Sequence, residues 1–158
     1  MNTTEARRHA RTASLALVGV LLAIHAAHAA RGISTTGNMG FGRFVARSGG
    51  TVAVGVSGAR TSTGNVILLT SSSAAASFTV DPPGRGKLMI VSLPGNGSVL
   101  LTNGASNMAV NNFVSNAPAN GQLNTPSYGL TVGATLQVGN NQPPGNYVGS
   151  FPVIVEYQ

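Results

Sequence analysis

The sequence has no cysteine and no tryptophan, and of its 158 residues only three are acidic and three are histidine. Without cysteine no disulfide can staple the fold, and no thiolate can attack a substrate or bind a metal. The histidines, His9, His25 and His28, all lie within the first thirty residues. Beyond them the only acids are Asp81 and Glu156, set against Arg31, Arg43, Arg47, Arg60, Arg85 and Lys87. General acid–base chemistry, nucleophilic attack and metal ligation draw on the side chains that are scarce here. Asp81 stands before Pro-Pro and is expected to be a turn residue. Glu156 is expected to be a solvated charge on a sheet edge. A Ser-Lys dyad would have to use Lys87, the only lysine. No catalytic, cofactor-binding or metal-binding residue is therefore assigned, no cofactor is expected, and the chain is not expected to be an enzyme. The bases are scattered with no aromatic residues between them, which argues against nucleic acid as a partner. An anionic surface or polymer suits the net charge better.

Long apolar runs are missing as well. The best one, residues 13–24, follows a basic head of Arg7, Arg8, His9 and Arg11 and precedes Ala27-His28-Ala29. Basic head, short apolar middle and small residues before a cut are the parts of a secretory signal peptide. The run falls short of the roughly 20 residues that span a bilayer. Residues 1–29 are expected to be removed, with the cut after Ala29 or Ala30, leaving no membrane segment. A short extension over residues 30–40 and a domain over residues 41–158 follow. The destination is the periplasm, the cell surface or the extracellular space.

What the remaining chain does have is alternation. Leu130, Val132, Ala134, Leu136 and Val138 share one parity, with Thr131, Thr135 and Gln137 on the other, the period-two mark of a half-buried strand. Turn residues fill 140–145, and Tyr147, Phe151, Val153, Val155 and Tyr157 then share a second face. These two runs are expected to pair as a hairpin. Residues 41–46 and 51–56 suggest two short strands joined by Arg47-Ser-Gly-Gly50. The continuous apolar run 66–69 suggests a strand covered on both faces. Residues 74–80 alternate and stop at Asp81-Pro-Pro-Gly84, and 87–93 is a further apolar run. Asn103-Gly104 between two short apolar runs signals a hairpin. Residues 116–129 look like the longest loop. Eight or nine short strands separated by Gly, Pro and Asn imply an antiparallel sandwich or barrel, and the expected fold is an all-β, immunoglobulin-like antiparallel β-sandwich.

Pro152 interrupts the last run and removes a donor from one side of the ladder, as expected at a bulge or an edge strand. At such an edge a neighbouring subunit could add a strand. The segment carrying Ile33, Met39 and Phe41 alternates weakly and is expected to be a flexible tail; the competing expectation is a strand that pairs with something in this chain or another, which makes it the candidate donor. The candidate acceptor carries Phe151, Val153 and Val155.

Several motifs resemble those of an exported bacterial family called domain of unknown function 4402. They are Phe41-Gly-Arg-Phe, Gly49-Gly-Thr-Val-Ala-Val54, Leu93-Pro, Val132-Gly-Ala-Thr-Leu136 and the closing run from Gly145-Asn-Tyr to Val155-Glu-Tyr157. The resemblance implies a secreted β-sandwich of Gram-negative bacteria, with no catalytic residues attached to the name. The closing run is also similar in style to the last strand of chaperone-usher pilus subunits, from which Pro152 departs. The expected function is an exported structural or adhesive surface protein, assembled like a fimbrial subunit by strand addition. Its partners would be further copies of itself or a periplasmic chaperone. The alternative is a module that binds glycan or another surface polymer through loops around Asn111-Asn112 and Asn140-Asn141, with Tyr128 as the exposed aromatic.

Overall fold

A computed structural model describes residues 32–158. The expected signal peptide and its cut site lie outside the described residues. Those residues form ten strands and no helix. In chain order the strands are β1 (Ile33–Gly37), β2 (Phe44–Val54), β3 (Arg60–Leu68), β4 (Ala76–Val80), β5 (Lys87–Ser92), β6 (Val99–Thr102), β7 (Asn107–Ser115), β8 (Gln122–Leu123), β9 (Tyr128–Val138) and β10 (Ile154–Tyr157). All pairings are antiparallel, and they make one seven-stranded and one three-stranded sheet, the latter in the order β10-β5-β8.

Strand β9 is the axis of the large sheet. Its alternation predicts one buried face, and Leu130, Val132, Ala134, Leu136 and Val138 are each no more than 1% exposed. Val132 pairs with both Ala76 of β4 and Ser115 of β7, and Leu136 pairs with both Val52 of β2 and Val110 of β7. Strands β4 and β2 must therefore follow one another along a single edge of β9, while β7 runs along the other. The handover falls at Gly133. A Cβ there would collide with the Val54 carbonyl oxygen and sit 2.8 Å from the Gly55 carbonyl carbon. Only glycine lets the chain leaving β2 pass so close to the strand it has just paired with.

The change of neighbour divides the molecule into two halves, each with its own core. In one half, Ala76, Val80, Leu130 and Val132 of the large sheet meet Met89 and Leu123 of the small sheet, a sandwich-like packing of two sheets. In the other half, the face carrying Val52, Val54, Val66, Val99, Met108, Val110 and Leu136 has no second sheet opposite it. It is covered by Met39 and Phe41 from one non-strand segment and by Tyr147 and Phe151 from another. Met39, Phe113 and Phe151 touch both cores and join them, with the two phenylalanine rings tilted at 46° and 5.0 Å between centroids.

The Asn103-Gly104 hairpin forms as expected between β6 and β7, with Asn103 Oδ1 accepting from the Ser106 amide at 2.8 Å. Other expectations are corrected. The final hairpin does not form: β9 stays in the large sheet, whereas β10 pairs with β5 in the small one. The closing run keeps its parity, since Tyr147, Phe151, Val153, Val155 and Tyr157 are half-buried and Val148 through Glu156 at even positions are exposed. It crosses from a bridge at Thr102–Val148 to β5, and Pro152 lies in the crossing, ahead of β10. The two short strands at 41–46 and 51–56 are one strand, β2. Its register runs from Ala46↔Val66 to Gly50↔Gly64, so the expected turn is a bulge. The run 66–69 is covered on one face only, with Ile67 48% exposed. The long loop contains β8, whose Leu123 is a core residue, and of the two expectations for the N-terminal segment the strand holds and the tail does not, since β1 pairs with β4 of this chain.

Candidate functional site

The half-core without a second sheet borders a half-open cavity of about 1010 Å³. Its floor is the sheet, through Phe44, Ala46, Leu101, Met108, Val110 and Leu136, and its rim is formed by residues 37–43 and 142–151. Asn38, Arg43, Gln142 and Asn146 supply polar groups at that rim. Such a space, with polar and apolar lining in comparable amounts, is of the size that small ligands or an inserted chain segment occupy.

One side chain fixes one side of the rim. Arg60, at the start of β3, donates from Nη1 to the Phe41 carbonyl at 2.9 Å and the Arg43 carbonyl at 3.2 Å, and from Nη2 to the Leu69 carbonyl at 2.7 Å. The planar fork of donors suits three converging carbonyls, which a lysine could not serve together. The Arg43 amide donates to Ser71 Oγ at 2.7 Å, and the Leu69 amide to the Arg43 carbonyl at 3.0 Å. Gly42, at φ +68°, makes room for the guanidinium, because a Cβ there would collide with Nη1. The other side of the rim is held by Tyr147, whose hydroxyl donates to the Pro143 carbonyl at 2.8 Å and accepts from Gln142 Nε2 at 2.8 Å.

The six residues expected at a strand-exchange site all pack on this chain's own core. Phe41 is buried in the half bearing the cavity, and Ile33, Val153 and Val155 lean on the other. Met39 and Phe151 contact both. The structure thus separates two groups that the sequence treated as one donor: Ile33 on the outermost strand β1, and Phe41 fixed beneath Arg60. Sequence reasoning missed Arg60 and the cavity. Nothing in a lone arginine at a strand start signals its three carbonyl partners, which come from residues 41–43 and 69.

The polar loops serve turns. Asn111 Oδ1 accepts from the Gly97 amide and Asn96 Oδ1 from the Asn112 amide, each at 2.8 Å, so the pair ties a turn to β7. Asn112 and Asn141 both have positive φ. The Tyr128 ring packs on the core and its hydroxyl donates to the Asn116 carbonyl at 2.5 Å, so it is not a free platform. Among the described residues no three or more His, Asp or Glu side chains gather. The Tyr157 hydroxyl is enclosed with no hydrogen-bond partner among the described residues. Burial, and then the negative charge of Asp81, raise its pKa above the ordinary tyrosine value.

Sheet edges complete the site. β1 is an end strand of the large sheet, and its sequence Ile-Ser-Thr-Thr-Gly carries neither charge nor proline. At the edge of the small sheet, by contrast, β10 carries the exposed Glu156. Several apolar residues also face outward: the cross-strand pair Val45 and Ile67, and Leu88, Ile90 and Ile154 on the outer face of the small sheet.

Comparison with curated proteins and with solved structures finds no match. A family model described as "Domain of unknown function (DUF4402)" matches residues 32–157, from the residue before β1 to the last residue of β10. The match covers both sheets, both half-cores and the cavity rim, and the chain belongs to the DUF4402 family.

Proposed function

We propose that the chain is an exported, non-enzymatic structural or adhesive subunit of the cell surface, an immunoglobulin-like sandwich joined to its neighbours by strand addition. The observation that carries this reading is the uncharged, proline-free edge of β1. Soluble β proteins blunt their outer strands with lysine, proline or inward charge, because unpaired N–H and C=O groups recruit other strands. β1 carries neither charge nor proline, and what blunts it is its length of five residues and the register shift between Thr35 and Gly37. Exposed apolar residues on both sheets add surface for lateral contact. Partners on this reading are further copies of the chain, with a periplasmic chaperone covering the edge before assembly. The test is light scattering of the exported chain over a hundredfold range of concentration, with electron microscopy of the concentrated sample. Polymers that grow with concentration are expected; a monomer throughout would overturn the assembly.

A second reading, a module that binds a surface polymer, is favoured by the cavity with Asn38, Gln142 and Asn146 at its rim. Binding on a glycan array that is lost on closing the cavity with Ala46→Trp would replace the first reading.

A further inference from the structure

The outermost ladder of the large sheet is longer than β1. The Asp81 amide donates to the Gly32 carbonyl at 3.0 Å, Ile33 faces Val80, Gly37 faces Ser77, and Gly40 and Ala74 exchange both backbone bonds at 2.9 and 3.0 Å. Residues 32–40 therefore lie as one edge segment along residues 74–81. Its hold is mostly backbone. Only Ile33 and Met39 reach the cores, and both are half-buried, while Ser34, Thr35, Thr36 and Asn38 are exposed. At residue 41 the character changes: Phe41 is buried and its carbonyl is held by Arg60.

We propose that residues 32–38 exchange between copies of the chain, seating on residues 77–81 of a second copy, with Met39 and Gly40 as the hinge, the two Gly40–Ala74 bonds opening, and everything from Phe41 onward staying at home. The proposal rests on the reading that copies assemble through their strands, and places the acceptor at residues 77–81, the edge that β1 covers, instead of at the outer edge of β1. The occupant is a second copy because the acceptor edge is already shaped for this segment. It offers a backbone ladder, an apolar contact for Ile33, and a close approach at Gly37, where a Cβ would collide with Ser77 Oγ. Exchange of an identical element preserves each of these contacts and changes only the hinge. Leaving costs little, because few apolar contacts break and edge segments open at a fraction of the global unfolding free energy. A subunit that gives its segment to one neighbour exposes its own residues 77–81 to another, so exchange can propagate.

The absence of cysteine makes the test clean. Two exported chains are prepared, one with Ser34→Cys and one with Thr79→Cys, positions that face each other in the ladder. Antiparallel partners of this kind lie roughly 5.5 Å apart between Cα atoms, within the range a disulfide spans. The chains are mixed in equal amounts, unfolded, refolded together at high concentration and oxidised. Each chain holds one thiol, so a 34–79 disulfide can arise only between two molecules. At least tenfold more 34–79 linkage than 34–34 or 79–79 linkage, mapped by mass spectrometry, is the expected result. Absence of the 34–79 linkage, while a double variant S34C/T79C closes within one chain, would overturn the exchange. Light scattering of the unsubstituted chain separates the two ideas. Mixed linkage in closed dimers without polymer keeps the exchange and refutes the fibre, whereas polymer without mixed linkage refutes the exchange and leaves assembly to another edge.

Discussion

Replacing Arg60 tests how the rim of the cavity is held. The guanidinium serves the carbonyls of Phe41, Arg43 and Leu69 at 2.9, 3.2 and 2.7 Å. A hydrogen bond from a charged donor contributes about 1.5–3 kcal/mol. The Phe41 bond is partly buried, whereas the other two are open to water that can replace the donor. The net loss in Arg60→Met, which keeps the aliphatic stem, should therefore be about 2 kcal/mol, near the value of one sheltered bond. For a domain of this size that lowers Tm by roughly 7 °C. Arg60→Lys should lose about half as much, since one ammonium reaches one or two of the three carbonyls. Gly42→Ala brings a second effect. At φ +68° a Cβ costs about 1–2 kcal/mol in backbone conformation, and here it also strikes Nη1. Combined with Arg60→Met the contact with Nη1 is removed, while those with Ser71 Oγ and the Ser72 carbonyl oxygen, 2.7 and 2.8 Å from the Cβ, remain, so the double variant should recover only part of the Gly42→Ala loss, about 0.5 kcal/mol relative to the sum of the single losses. Urea denaturation measures the free energies, and limited proteolysis within residues 38–43 reports on the rim itself. If Arg60→Met lies within 0.5 kcal/mol of the parent and cleavage is unchanged, Phe41 packing alone holds the segment and the argument fails.

Two other perturbations address the fold. Gly133→Ala places a methyl group against the Val54 carbonyl oxygen and the Gly55 backbone, where β9 changes neighbours. A loss of about 2–3 kcal/mol is expected in denaturation, and a stable variant with unchanged hydrogen exchange at Val54 would show that the close approach is not required. For Tyr157 the direction of the pH dependence follows from its raised pKa. The unfolded chain ionises first, so the contribution is fully present below the ordinary tyrosine pKa of about 10 and is lost as pH rises through the higher folded value. Tyr157→Phe removes an enclosed hydroxyl without a partner, and should raise stability at pH 7 by about 1 kcal/mol while reducing the loss above pH 10. Equal alkaline slopes for both proteins would contradict this assignment.

What the sequence determined by itself is the all-β character and the faces of the alternating runs. Alternation placed Leu130 through Val138 and Tyr147 through Tyr157 on the correct sides, because a strand's side chains alternate whatever its neighbour is. Asn103-Gly104 marked its hairpin because that turn is closed by local hydrogen bonds. Pairing over longer distances was not legible. The closing run looked like the partner of β9, yet it crosses to β5, and no local preference distinguishes two antiparallel neighbours of similar apolar character. The bulge at residues 47–49 read as a turn, since glycine permits both and only the ladder to β3 tells them apart. The cavity and the Arg60 fork belong wholly to the tertiary structure. They exist because β9 carries β4 and then β2 on one edge, which leaves half of the large sheet facing irregular segments instead of the small sheet. A change of neighbour at Gly133 is a long-range event, and the sequence records only the glycine that permits it.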